Sequence, residues 1–246
     1  MMKKLFAITL LAVFAFGIVS CAKLQARDNV NKGVRAFRDG KYDAAIGYFQ
    51  TAIRLDPNAP YAQLYLATAY SQSYIPGAQS EDNQKNADMA IETFQKVLEQ
   101  DPNNVTAVTG LASIYQNTDQ IQKAREYYLK NTQMAPDDPT PHYAVGSVDW
   151  IIVFDKAAPP PPEEQARLIE EGLQYLDRAL QLNPDYEDAM TYKNLLFREK
   201  ARLAATEEEK AQLTAQADEW FNKAIETRKK NQEKAAAAAV GADAGQ

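Results

Sequence analysis

One pattern recurs along this chain at fixed offsets, and it constrains the fold more than any other feature. A small residue precedes a proline by 12 positions four times: Ala45 and Pro57, Ala90 and Pro102, Ala124 and Pro136, Gly172 and Pro184. A second anchor follows each proline by 13 positions, at Tyr70, Tyr115, Asp149 and Phe197. Between them run motifs at helical spacing, such as Ala45-x-x-x-Phe49-x-x-Ala52-Ile53, and a fifth copy reads Ala217-x-x-x-Phe221-x-x-Ala224-Ile225. Proline lacks the N–H that an interior helical turn needs, so each proline ends a helix. Self-similarity at a fixed period is the mark of a repeat architecture, and here the repeating pieces are helical. An all-α chain follows.

The fullest copy is Gly33-x-x-Ala36-x-x-x-Gly40-x-Tyr42-x-x-Ala45-x-x-x-Phe49-x-x-Ala52-Ile53, closed by Pro57. Another reads Ala112-x-x-Tyr115-x-x-x-Asp119-x-Ile121-x-x-Ala124-x-x-x-Tyr128, ending at Pro136. These resemble the tetratricopeptide repeat over about residues 26–230. The resemblance implies a right-handed superhelical solenoid of about five hairpins, with first helices on the concave side. Its repeats would span 26–58, 59–103, 104–137, 138–185 and 186–230. The expected core is Phe49, Leu66, Tyr70, Phe94, Leu98, Leu111, Tyr115, Tyr128, Leu176, Leu180, Phe197 and Phe221. Several positions depart from the family pattern. Asp149 stands where an aromatic is expected, Asn131 and Asn194 replace small residues, and the fifth repeat has no closing proline.

The anchor-to-anchor spacing is 9 in repeats one and three, but 20, 23 and 20 in repeats two, four and five. All the extra residues fall at the turn within a hairpin, at about 71–86, 150–165 and 200–212. Ile75-Pro76-Gly77 is a breaker and Ser80 a helix start; Pro159 to Pro162 is a stiff corner; Thr206 and Glu209 form a capping box. Such insertions either lengthen the hairpins or build a partner-binding edge, on which Trp150 and Phe154 would be the contacts. The family's concave face, carried over by register, is lined by Arg27, Val30, Val34, Phe37 and Arg38 in repeat one. It continues through Tyr61, Leu64, Thr68, Ser71 and Gln72, then Thr106, Thr109, Ser113, Gln116 and Asn117, then Thr140, Tyr143, Ser147 and Trp150. This surface suits a peptide or protein held by side-chain hydrogen bonds and aromatic contacts.

Little chemistry is available. One His and one Cys exclude a His/Cys zinc cage, an intrachain disulfide and a CxxC pair. His142 has no nucleophile elbow beside it, and no phosphate loop occurs. The reading is therefore no enzyme, no cofactor and no metal. A net charge of −6 also argues against nucleic acid.

The cysteine has a different place. Lys3 and Lys4 precede an apolar stretch from Leu5 to Phe16, which ends in Ile18-Val19-Ser20-Cys21. The stretch is too short to span a bilayer. It resembles the bacterial lipoprotein signal, which implies removal of residues 1–20, lipid on Cys21 and a short tether over 21–25. Ala22 after the cysteine favours the outer membrane, facing the periplasm. Residues 231–246 form a low-complexity tail. Together these expectations describe a membrane-anchored scaffold for protein partners in the cell envelope. A receptor for a peptide or glycan, and less readily an envelope hydrolase, are the alternatives.

Overall fold

A computed structural model describes residues 21–243, with side chains through 238. The expected signal segment, 1–20, lies outside the described residues. Within them the chain forms ten α-helices and no strand. They are α1 (21–38), α2 (Tyr42–Leu55), α3 (Ala62–Ser73), α4 (Glu81–Gln100), α5 (Val105–Asn117), α6 (Ile121–Met134), α7 (Pro139–Phe154), α8 (Pro162–Leu182), α9 (Glu187–Leu203) and α10 (Glu207–Asp243). The chain divides into two compact units, one ending at Thr118 and one beginning at Asp119.

In the first unit, large side chains of second helices enter gaps left by glycine. Phe49 of α2 fills the space over Gly33 of α1, where a Cβ would come within 2.5 Å of its ring. Its other side stacks on Tyr65 of α3 at 5.5 Å. Phe94 of α4 fits against Gly110 of α5, where a Cβ would lie 2.3 Å from the ring. The tyrosine anchors are buried to their hydroxyls. Gln50 donates to Tyr70 Oη at 2.7 Å, and Gln95 to Tyr115 Oη at 3.3 Å. The α1–α2 turn passes through Gly40 at φ 71°, a left-handed conformation that favours glycine.

The second unit repeats the scheme with aliphatic knobs. Leu176 of α8 packs on Gly146 of α7, and Leu196 of α9 on Gly172 of α8. Asp149, in the anchor position, is fully buried. Arg125 of α6 reaches it, donating from Nε to Oδ1 at 2.5 Å, while its Nη2 donates to Glu171 Oε2, also at 2.5 Å. Burial pushes the Asp149 carboxyl up to about 6, against the opposing pull of the Arg125 guanidinium.

The extra residues within hairpins mainly lengthen second helices. α4 has 20 residues, α8 21 and α10 37, against 14 in α2 and α6. Ser80 caps α4, its hydroxyl accepting from the Asn83 amide at 3.2 Å. Asn83 is itself buried and pins the preceding loop. It accepts from Ile75 N–H at 2.7 Å and donates to the carbonyls of Ile75 and Ala78 at 2.9 Å each. Gln165 holds the proline corner in a similar way, donating to the Pro160 carbonyl at 2.7 Å. At α10, Thr206 Oγ1 accepts from Glu209 N–H, and the Glu209 carboxylate accepts from Ala205 N–H, both at 3.1 Å.

Some expectations change. Residues 21–25 are helical and continuous with α1, where an extended tether was expected. Trp150 to Phe154 is the last turn of α7 and not part of the connection, which runs over 155–161. Leu98, Leu180 and Phe197 are only half-buried, and their neighbours Val97, Ala179 and Leu196 take the buried positions. Phe221 is 47% exposed and is not a core residue. Its counterpart Phe49 is covered by the next hairpin's first helix, whereas α10 runs straight on to Asp243 and does not fold back.

Candidate functional site

On α7, Tyr143, Trp150 and Phe154 are spaced by seven and four residues, so one helix face carries all three. The rings of Trp150 and Phe154 stack at 4.7 Å. Two tyrosines from the next hairpin join them. Tyr186, just before α9, lies 5.0 Å from Tyr143, and Tyr192 of α9 lies 5.7 Å from Tyr143 and 5.6 Å from Trp150. Five rings thus form one continuous aromatic face on neighbouring first helices of the second unit. Phe154 is 44% exposed, and the other four are half-buried. Burial moves the ionisation of all three tyrosine hydroxyls to higher pH, and the nearby carboxylate of Asp188 moves each further the same way. They therefore stay protonated and act as donors. Flat apolar rings with hydroxyl tips and an acidic group alongside suit a peptide segment better than a small polar metabolite.

The sequence placed Tyr143 and Trp150 on the concave side and offered Trp150 again, with Phe154, as an edge contact. The structure brings the three together on one face. Tyr186 and Tyr192 were missed, although Tyr192 occupies the repeat position of Tyr65, which is itself an aromatic contact.

The first unit presents a more polar row. Tyr61 is 72% exposed and adopts a left-handed backbone at φ 62°, which costs energy for a residue with a Cβ. Its ring meets Tyr65 edge-on at 6.5 Å. Leu64 and Thr68 of α3 are half-buried, as are Thr109, Ser113 and Gln116 of α5, while Thr106 and Asn117 are exposed. The Thr68 and Thr109 hydroxyls donate to the carbonyls of Leu64 and Val105, both at 2.9 Å, so their protons are already engaged. The Asn117 carbonyl accepts from the Tyr74 hydroxyl at 3.2 Å.

His142 is buried, with Nε2 3.0 Å from the Pro136 carbonyl and its ring against Tyr175. Among the described residues no cluster of His, Cys, Asp and Glu could hold a metal ion. Cys21 is exposed at the first described position.

Comparison with known proteins agrees with this geometry. Residues 30–72 and residues 83–146 each match the tetratricopeptide repeat by sequence. These segments are tetratricopeptide repeats. A curated relative, sperm-associated antigen 1 of Mus musculus, is 31% identical over 107 residues, which are 44% of this chain. The match spans only 10% of that protein. Among solved structures, MamA from Desulfovibrio magneticus RS-1 superposes with a TM-score of 0.63 at 18% identity, covering 84% of this chain and 96% of that one. YrrB, described as a tetratricopeptide repeat protein with an unusual peptide-binding site, superposes with a TM-score of 0.56 at 14% identity, covering 82% and 90%. At these identities the likeness shows the fold, an all-α solenoid of tetratricopeptide type. That fold is a scaffold suited to interaction with proteins.

Proposed function

We propose that this chain is a membrane-anchored scaffold that captures a protein or peptide on its first-helix face and performs no chemistry itself. The five-ring surface of Tyr143, Trp150, Phe154, Tyr186 and Tyr192 carries this reading. It combines apolar area with hydroxyl donors on two rigid helices, the composition typical of binding hot spots. The peptide-binding site named for YrrB supports the same use of the fold. The first unit carries a candidate row of its own, Tyr61, Leu64, Thr68, Thr106, Thr109, Ser113, Gln116 and Asn117, which offers polar and aromatic contacts to a peptide or protein. The anchor in this proposal is lipid on Cys21, which places the chain in a bacterial envelope, at the outer membrane facing the periplasm, in service of an envelope assembly.

Photo-crosslinking in cells tests the binding face. A photoreactive residue at Phe154 should trap a defined protein, and the same residue at Glu99, exposed on α4, should not. Equal trapping at both sites, or at neither, would overturn the assignment. The anchor is read separately: Cys21→Ser should abolish fatty-acid labelling, and persistent label would remove the lipid from the proposal.

A further inference from the structure

The chain carries a net charge of −6, yet α1 holds five basic residues, Lys23, Arg27, Lys32, Arg35 and Arg38, against one acidic residue, Asp28. Their arrangement is specific. α1 buries Ala26, Gly33 and Ala36 against its own hairpin. At 100° per residue the opposite face displays Leu24, Arg27, Asn31, Arg35 and Arg38, and every one of these is exposed. Asp28 is paired with Lys32 at 2.7 Å. No ion pair among the described residues occupies Arg27, Arg35 or Arg38.

Arg27 and Arg38 take positions that are exposed on α3 and α5 as well, at Tyr61, Gln72, Thr106 and Asn117, whereas Asp28, Lys32 and Arg35 take the side on which a preceding hairpin would stack. In α3 the corresponding positions are Ala62, Leu66 and Ala69, and in α5 they are Ala107, Leu111 and Ile114; all six are buried. In α1 they are Asp28, Lys32 and Arg35, all exposed. Another hairpin, whether from a second copy or from a similar repeat protein, would bury the Arg35 guanidinium without a partner and desolvate the Asp28–Lys32 pair, at a cost of several kcal/mol, on the order of that for breaking a buried ion pair. The face is built to meet something charged and wet. Leu24, 70% exposed, stands at its head one turn after Cys21, and the apolar run Leu5 to Phe16 lies immediately upstream. Cationic side chains with an exposed leucine, next to a membrane-directed segment, match an anionic bilayer surface.

We infer that the Leu24–Arg27–Arg35–Arg38 face of α1 lies against anionic lipid headgroups and sets the orientation of the first unit on its membrane. The inference rests on the membrane anchoring proposed above but not on acylation, since an uncleaved apolar segment would place α1 at the same surface. The helical state of residues 21–25 makes the contact close: a helix rises about 1.5 Å per residue, so no slack separates the anchor from the stripe.

The test compares the full-length wild-type chain with its Arg27→Gln/Arg35→Gln/Arg38→Gln variant. Both are sedimented with vesicles of phosphatidylcholine alone and with vesicles containing added phosphatidylglycerol. The segment upstream of Cys21 is identical in both proteins, so their ratio isolates the stripe. A basic residue near an anionic surface contributes about a factor of five, so the variant should partition about a hundredfold more weakly onto phosphatidylglycerol vesicles. The two proteins should be equal on phosphatidylcholine, and raised salt should erase the difference. All three arginines are exposed, so circular dichroism of the variant should match the wild type. Equal binding of both proteins to the anionic vesicles overturns the inference. So does a wild-type chain that prefers an acidic peptide or single-stranded nucleic acid to those vesicles. Cys21→Ser retains the stripe and should keep the preference for anionic vesicles, so loss of lipid label and loss of the stripe's effect are read independently.

Discussion

Asp149 is a fully buried carboxylate held by the Arg125 guanidinium, which makes its energetics separable. Its carboxyl titrates at about 6 in the folded chain, above the value of about 3.9 of an unfolded aspartate. The folded state therefore takes up this proton first as pH falls. The associated stability is fully present below about pH 4 and is lost as pH rises through about 6. A difference of about two pH units corresponds to about 3 kcal/mol. Asp149→Asn removes the titration and keeps the shape. Relative to wild type, this variant should therefore gain about 3 kcal/mol between about pH 4 and about pH 7. Surface carboxylates such as Glu164 and Asp185, whose ionisation in the folded chain is moved to lower pH by Arg167 and by Lys234, give the opposite slope, but they cancel in the comparison. Removing the other partner is harsher. Arg125→Met strands the buried carboxylate and should cost about 3–5 kcal/mol near neutral pH. Asp149→Leu should cost less, because Arg125 keeps Glu171. The assay is urea unfolding followed by Trp150 fluorescence in a Trp220→Phe background. Parallel pH profiles for wild type and Asp149→Asn, or a loss below about 1 kcal/mol for Arg125→Met, would refute the reasoning.

Two further outcomes follow from the packing. Gly110→Ala should destabilise by about 1–2 kcal/mol, because crowding of the Phe94 ring outweighs the roughly 1 kcal/mol of helix propensity gained, as thermal melts would show. Gly47→Ala is the control: a Cβ there meets nothing within 4 Å, so the same exchange in α2 should stabilise by about 0.5–1 kcal/mol. Asn83→Ala removes three hydrogen bonds from the loop before α4 and should cost about 2–3 kcal/mol, with faster hydrogen exchange at the Ile75 amide; unchanged exchange there would mean that Asn83 does not hold the loop.

The hairpins were legible because each local signal agreed with the others. Proline closes, Ser80 and Thr206 starts, and small residues opposite Phe49 and Phe94 all point to paired helices. What escaped the sequence depends on a neighbour. Phe221 has the same local pattern as Phe49, but burial of that ring is decided by the next hairpin's first helix. Asp149 looked like a defect in the pattern, because its partner Arg125 lies 24 residues away at a position with no repeat signature. The aromatic face was half visible. Tyr143 and Trp150 follow the register, but Tyr186 and Tyr192 sit on α9, where Asp188 and Asn194 obscure the repeat motif.

The packing over the two phenylalanines of the first unit also limits how this chain could have grown. Phe49 is met by Tyr65, and Phe94, at the same repeat position, is met by Gly110. The hairpins look like copies, yet they are keyed to their neighbours. Moving α5 next to α2 would leave a tyrosine-sized hole over Phe49, while moving α3 next to α4 would drive Tyr65 into Phe94. Deleting or shuffling a hairpin is therefore not neutral here. Whatever duplications produced this array, their products have since become specific to their order, and a shortened chain would need compensating changes at both sides of the new junction.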